Sequence, residues 1–507
     1  MSSLRTPKAL CAYPSRVPLP KLGYNWPMKF FFYDLETSGF DPKTDRIMQF
    51  AGQFCNEDFK PSGESLNLLV RLSDDVLPHP RSVLIHGITP QKTLAEGITE
   101  AEFIKILEQK MLKKDTIILG YNSCRFDDEF IRYAFYRNLR DPYEWHYKDG
   151  RSRWDLLDVG RMMRALRPEG VNWPEGVNGN ASLRLEDLAR ANNLAHDLAH
   201  DALSDVKATI ELAKLFRRAQ PKLFNYLLSN RSKVAVLDII KPERRQPFVY
   251  ASGAYSLDNL AATVAVVLAG YPGDANNYLV YDLRFAPDEF VKMDVDGLRS
   301  RLYLTHEERK ETEPLPVKKL PINRAPAVAP LGTLDEAAQK RINLNLSTVT
   351  RHLRIIRRHP EFTRNVIKAY EGLPPYPVGR DPETRLYEGF IPDKDRTLLK
   401  SIAKKEPAEL AKLKPDFIDK RLQVLFFRFK ARNYPQILSE EESRRWQVWR
   451  RRRLMGKSDL DGMDLVKFHK ELAEVAKGTV IDERCRFLLE ELSLYAQSIA
   501  PDELFQQ

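Results

Sequence analysis

Asp34 and Glu36 stand two apart at the end of an aromatic run. Asp127 follows far downstream, and His200 precedes Asp205 by five positions. Four carboxylates and an imidazole suit phosphodiester hydrolysis. That reaction must activate a water, stabilise charge building on the phosphate and stabilise the leaving 3′ oxygen. Two divalent cations about 3.5–4 Å apart can serve both the attacking and the departing oxygen. Hard cations such as Mg²⁺ take oxygen ligands, and two so close together need several carboxylates to offset their repulsion. Histidine titrates near neutrality and can take the water's proton. In this reading Asp34 bridges both metals while Glu36 and Asp205 complete their shells. Asp127 holds the outer metal, directly or through water, and His200 is the general base.

These side chains need elements to aim them. Met28–Asp34 is aromatic-rich and lies between Pro27 and the Ser38-Gly39 turn, so it reads as a buried strand. Side chains alternate along a strand, so Asp34 and Glu36 share one face, about 7 Å apart along the chain. Thr116–Asn122 reads as a second strand, feeding a segment in which Phe126, Phe130 and Ala134 recur at helical spacing. Asp127 then falls in a helix's first turn at a strand's carboxyl end, where ligands gather in open α/β sheets. The third element, Ala199–Val206, opens a helix that runs on through Thr209, Leu212 and Leu215. Five residues of helix turn the face by about 140°, so His200 is expected on the preceding loop and Asp205 in the first turns.

The chain has 507 residues, too many for one core, so two or three domains are expected. A net charge of +10 and a pI of about 9.1 suit a polyanionic partner. Binding to such a partner should weaken steeply with salt. The four cysteines, Cys11, Cys55, Cys124 and Cys485, form no C-x-x-C pair, against a zinc site or a disulfide framework. Cys124 is read as packing rather than as a nucleophile. No apolar run reaches 18 residues, and the first 27 lack a signal-peptide core. A cytoplasmic protein with no membrane association is expected. Alternating strands and helices over 28–220 indicate an α/β unit with a mixed sheet. Short β-type runs and then helices fill 221–371, Pro- and Gly-rich 372–381 reads as a linker, and 382–507 reads as helical. The densest basic cluster, Arg444-Arg445-Trp446 with Arg450–Arg453, reads as an Arg-rich solvated helix face in preference to a site of strand capture or of docking for an acidic tail.

The constellation resembles the DEDDh branch of the ribonuclease-H-like 3′–5′ exonucleases, in which a histidine lies five residues before the last aspartate. Longer stretches are similar to the bacterial exodeoxyribonuclease I family: Ile118–Asn122 with Arg125–Glu129, Phe135–Asn138, Asp141–Tyr143, Ser152–Val159, Leu166–Gly170 with Asn172–Pro174, and Leu183–Glu186. Weaker similarity continues through Asn323 and Ala431–Pro435.

The resemblance implies an SH3-like β domain with helical additions over 221–371 and a helical C-terminal domain. It implies processive digestion of single-stranded DNA from the 3′ end to 5′-mononucleotides, serving repair and recombination, with two Mg²⁺ ions and Mn²⁺ able to substitute. Arg184 is implied to contact the substrate phosphate. Arg132, Tyr143, Tyr147 and Arg161 are implied to line the strand channel, with Tyr147 standing where relatives can carry tryptophan. Lys233, Asn276, Lys318 and Asn323 fall on the second domain's DNA face. A monomer is expected, with the acidic C-terminal tail of single-stranded-DNA-binding protein as partner, received around Arg167 and Tyr226. Residues 1–27, rich in proline, have no counterpart in the family core and are expected to be a disordered extension, with Met28 as an alternative start. The competing expectations are an exoribonuclease of the same branch and a non-catalytic single-strand-binding scaffold.

Overall fold

The computed structural model describes residues 28–176, 182–195, 200–373, 379–478 and 482–501. The expected N-terminal extension and part of the expected linker lie outside the described residues.

Five strands form the first sheet: β1 (Lys29–Thr37), β2 (Ile47–Cys55), β3 (Leu66–Leu69), β4 (Thr116–Gly120) and β5 (Ser152–Asp155), in the order β3-β2-β1-β4-β5. β1 pairs antiparallel with β2 and parallel with β4, so the sheet is mixed. Being central, β1 is covered on both faces, and its alternation sorts its side chains. Phe30 and Phe32 join one core with Ala202, Val206 and Ile210 of the helix Ala202–Ala219. Phe31, Tyr33 and Leu35 join another with Phe130, Ile131 and Ala134 of the helix Asp127–Arg137. Each buried aromatic contributes about 1.5–3 kcal/mol by leaving water. A one-residue slip would move every one of them to the wrong face.

The second sheet is antiparallel throughout: β6 (Phe248–Ala251), β7 (Ala262–Tyr271), β8 (Asp274–Asp282), β9 (Val317–Pro321) and β10 (Ala327–Pro330), ordered β10-β6-β7-β8-β9. Helices Leu346–Arg358 and Pro360–Glu371 follow, as the periodicity predicts. Its core is continuous with that of the first sheet, since Val249, Ala329 and Phe362 cluster with Trp154 and Phe224. From 393 onward the regular elements are helices apart from one short turn. They dock on the first unit through two apolar clusters, one placing Tyr133 and Tyr136 against Leu425 and Phe429, the other Val76 and Val83 against Phe468 and Leu492. The Arg-rich helix Glu440–Leu454 keeps Arg444, Arg445, Arg451 and Arg452 exposed, as expected of a solvated face, while its inner side packs on the rest of the protein. Arg453 is buried against Asp75, Trp446 is buried, and Arg445 covers the Phe427 ring at 4.4 Å. Long basic stems can cover apolar surface in this way.

Candidate active site and nucleic-acid passage

Asp34 and Glu36 sit on the Phe30–Phe32 side of β1, the side covered by the helix Ala202–Ala219, and Asp205 lies in that helix's first turn. One carboxylate oxygen from each of Asp34, Glu36 and Asp205 lies within 4.8 Å of the others. The pairing of β1 with β2 shifts register between Glu36 and Thr37, so the regular ladder ends where the carboxylates converge. Asp201 caps the helix, accepting from Ser204 N–H at 3.0 Å and from Gln49 Nε2 at 3.0 Å, which ties the helix start to β2.

Asp127 arrives from the other face of the sheet. β4 ends at Gly120, where a Cβ would lie 2.7 Å from the Tyr33 carbonyl, so any larger residue would push β4 from β1. Asn122 then takes a left-handed conformation (φ 64°), which asparagine tolerates better than most residues. The buried Asp155 carboxylate accepts from Asn122 N–H at 2.9 Å, Cys124 N–H at 3.1 Å and Leu157 N–H at 3.0 Å. The loop so fixed delivers Asp127 to the strand end, where its carboxylate accepts from Leu35 N–H.

The electrostatics are those of a crowded anion site. Burial, then the charges of Asp127, Asp205 and Glu36, raises Asp34 well above the carboxylate range. Burial, with Asp205 and Asp127 next, pushes Glu36 up to about 9. Burial also pushes Asp127 up to about 8, helped by Asp128 and Asp155 and opposed by its backbone hydrogen bonds. A cation is what such a set lacks. All-oxygen donors at this spacing fit a hard divalent ion, so the residues present match the metal chemistry expected of them.

His200 stands before the helix with φ 65°, its exposed ring turned toward Glu186, with Nε2 3.7 Å from Oε2. Arg184, largely exposed, approaches the other oxygen of the same carboxylate at 3.7 Å. Glu186 was not singled out from the sequence, although it lies in the Leu183–Glu186 stretch. His86 is a second unflagged neighbour. It accepts from Ile88 N–H at Nδ1 and contacts the Thr37 carbonyl at 3.2 Å, and burial pushes it down to about 4. Neutral, it steadies the chain just beyond Glu36. Cys124 is buried and its thiol is raised by burial, in keeping with packing.

A cavity of about 1190 Å³ opens between the first unit, the second sheet and the C-terminal helices. Arg132, Tyr143, Tyr147, Asn276 and Asn323 line it. Lys233 reaches the wall indirectly, donating to Asn276 Oδ1 at 2.8 Å. Two other expected contacts are elsewhere. Arg161 is held by Asp158 at 2.5 Å, and Lys318 is absent from the lining. Strand alternation explains the latter, because Lys319 and Pro321 of β9 face the cavity and Lys318 points away from them. The C-terminal contribution, Tyr387, Phe390 and Arg396, was missed. Tyr387 and Phe390 sit in an irregular segment and Arg396 on the helix Asp393–Ile402, and Phe390 is 81% exposed, conspicuous only once its neighbours are known.

Carboxylates converging beyond the central strand of a mixed sheet define the exonuclease class, and the family model described as Exonuclease matches residues 31–213. The models described as Exonuclease I SH3-like domain and Exonuclease I C-terminal domain match residues 231–372 and 380–499. The chain belongs to the exodeoxyribonuclease I family. It is 37% identical over 470 residues to exodeoxyribonuclease I of Escherichia coli strain K12, covering 93% of this chain and 98% of that one. The crystal structure of E. coli exonuclease I in complex with a dA16 oligonucleotide superposes with a TM-score of 0.89 at 37% identity, over 93% of this chain and 100% of the other. A crystal structure of SSB/exonuclease I in complex with the inhibitor CFAM gives a TM-score of 0.84 at 36% identity, over 93% and 100%. Among the described residues no helix is long and apolar enough to cross a membrane.

Proposed function

We propose that this protein removes nucleotides processively from the 3′ end of single-stranded DNA, releasing 5′-mononucleotides, in repair and recombination. The observation that carries the reading is the convergence of Asp34, Glu36 and Asp205 within 4.8 Å at the end of β1. Asp34, Glu36 and Asp205 would hold two Mg²⁺ ions, or Mn²⁺ in their place, with Asp127 completing the outer site. Such ions, when bound, neutralise developing phosphate charge and lower the pKa of water. The chain's own groups do the rest. His200 takes the proton of the attacking water, and Glu186 beside it stabilises the imidazolium that results. Arg184, exposed at the rim, meets the phosphate. The cavity between the three units holds the upstream strand, and Tyr143 and Tyr147 offer rings to its bases, each stack contributing about 1–3 kcal/mol. The relative solved with SSB supports single-stranded-DNA-binding protein as a partner, and in this reading its acidic tail is the part received, by a monomer. Arg167, which the Asp335 carboxylate holds at 3.1 Å, would exchange that partner for the tail. Unchanged tail-peptide affinity in Arg167→Ala would place the receptor elsewhere.

The test is a time course on 3′- and 5′-labelled single-stranded DNA with Mg²⁺, beside matched RNA and duplex, with Asp205→Ala as control. Mononucleotides should leave from the 3′ label, slowly on RNA and duplex. The variant should lose activity by at least about 10²-fold. Faster release from RNA would indicate an exoribonuclease, and tight binding without degradation a scaffold.

A further inference from the structure

The helix that delivers Asp127 opens with three consecutive acids, and the second and third serve the other units. Asp128 accepts from Tyr33 Oη at 2.6 Å and pairs with Arg153, whose other nitrogen donates to the Asn323 carbonyl of the second unit at 2.9 Å. Glu129 does more. Its Oε1 accepts from Arg132 at 2.7 Å and from Arg324, in the loop after β9, at 3.0 Å. Its Oε2 accepts from Tyr387 Oη of the C-terminal unit, and that oxygen accepts in turn from Arg132 at 3.2 Å. One carboxylate, 13% exposed, therefore joins all three units beside the cavity they enclose. Arg132, Arg324 and Tyr387 line that cavity, whereas Glu129 stands behind them.

We infer that Glu129 is a positioning residue that keeps the three units closed around the strand, setting how many nucleotides are removed per encounter. The inference rests on the proposed activity on single strands. The chemistry favours a clasp. Charge-assisted hydrogen bonds to a shielded carboxylate are the strong class, and Tyr387 Oη bonds to two charged groups of the first unit, donating to Glu129 and accepting from Arg132. Arg324 of the second unit and Tyr387 of the third share this one carboxylate, so removing Glu129 takes the acceptor from both and leaves Tyr387 the longer bond from Arg132 at 3.2 Å. An opposing role would have the reverse sign. A carboxylate that merely competed with strand phosphate for Arg132 and Arg324 would slow entry, and its removal would tighten binding.

Run length per encounter separates the two. Wild type, Glu129→Gln and Tyr387→Phe would be given a long labelled single strand and then a trap that captures released enzyme. A trinucleotide too short to span the cavity serves as a second substrate. Both variants should shorten the run by at least about threefold, while Glu129→Gln hydrolyses the trinucleotide at the parent rate. Runs of unchanged or greater length would overturn the inference, as would an equal loss on the trinucleotide, which would place Glu129 in the chemistry or the fold. Amide hydrogen exchange over 383–391 gives a readout independent of activity. It should quicken in Glu129→Gln, and unchanged exchange would overturn the clasp even if the parent proved inactive on DNA and the proposed function fell.

Discussion

At the residue scale, the cluster's charge is its most informative property. Glu36 and Asp127 titrate near 9 and 8 in the folded, metal-free protein, against about 4 in an unfolded chain. Both shifts are upward, so between about pH 4.5 and 8 the folded state holds protons that the unfolded state has released. Stability must fall as pH rises through that window, by up to about 1.4 kcal/mol per pH unit for each group. A bound divalent cation takes over from those protons. In EDTA the melting temperature should fall from pH 5 to pH 9, and Mg²⁺ should raise it far more at pH 9. A pH-independent melt without metal would contradict the mutual repulsion described above. Asp34→Asn bears on the same balance. It should flatten the pH dependence while reducing hydrolysis by at least about 10²-fold, a pairing of stability gained and activity lost that a merely structural aspartate would not give.

At the element scale, a site is only as good as the loop that aims it. Asp155 holds three backbone N–H groups of the segment leading to Asp127 and the helix after β5. Removing it strands buried donors, at about 1–3 kcal/mol each. Asp155→Ala should therefore lower stability by several kcal/mol in a urea melt and reduce hydrolysis in whatever fraction remains folded. Full activity in the folded fraction would mean that Asp127 is aimed by something else. The strands and helices around the carboxylates were legible beforehand because each carries its own periodicity. The aromatic run gave β1, the spacing of Phe126, Phe130 and Ala134 gave the helix of Asp127, and the left-handed position of His200 agrees with its expected place before the helix. Asp155 was not legible as a support, because an acid at a strand end looks the same whether it caps a loop or binds an ion. Lys318 and Lys319 show the same limit from the other side. Adjacent lysines on a short edge strand have equal claims until the register decides which one faces the cavity.

At the scale of the whole molecule, what no window of sequence reveals is a contact between distant segments. Glu383, fully buried, accepts from Arg46 at 3.1 Å, Arg428 at 2.8 Å and Arg432 at 2.7 Å, while Arg432 also pairs with Asp75 at 2.9 Å. Arg428 and Arg432 come from one helix, Lys420–Asn433, and Arg46 and Asp75 from the first unit. No local pattern pairs these charges, and only the docking of two apolar clusters on either side makes them interior. Burial by itself would raise Glu383, but the charges of Arg432, Arg428 and Arg46 outweigh it and hold the group well below the usual range. Asp75 is likewise depressed by Arg432, Arg453 and Arg46 against its own burial. Groups depressed on folding contribute stability that is complete above their unfolded values near 4 and is lost as pH falls through and below them. The C-terminal unit should thus be the acid-labile part of the molecule, whereas the metal-free carboxylate cluster weakens in base. Glu383→Gln leaves buried guanidiniums without their shared counter-charge, a change that costs about 3–5 kcal/mol in comparable buried pairs. At neutral pH the variant should melt in two steps, with amide exchange accelerated first over 393–454, and the wild type should show the same two steps only in acid. A single cooperative melt of Glu383→Gln at the wild-type temperature would show that the apolar clusters alone hold the C-terminal unit in place.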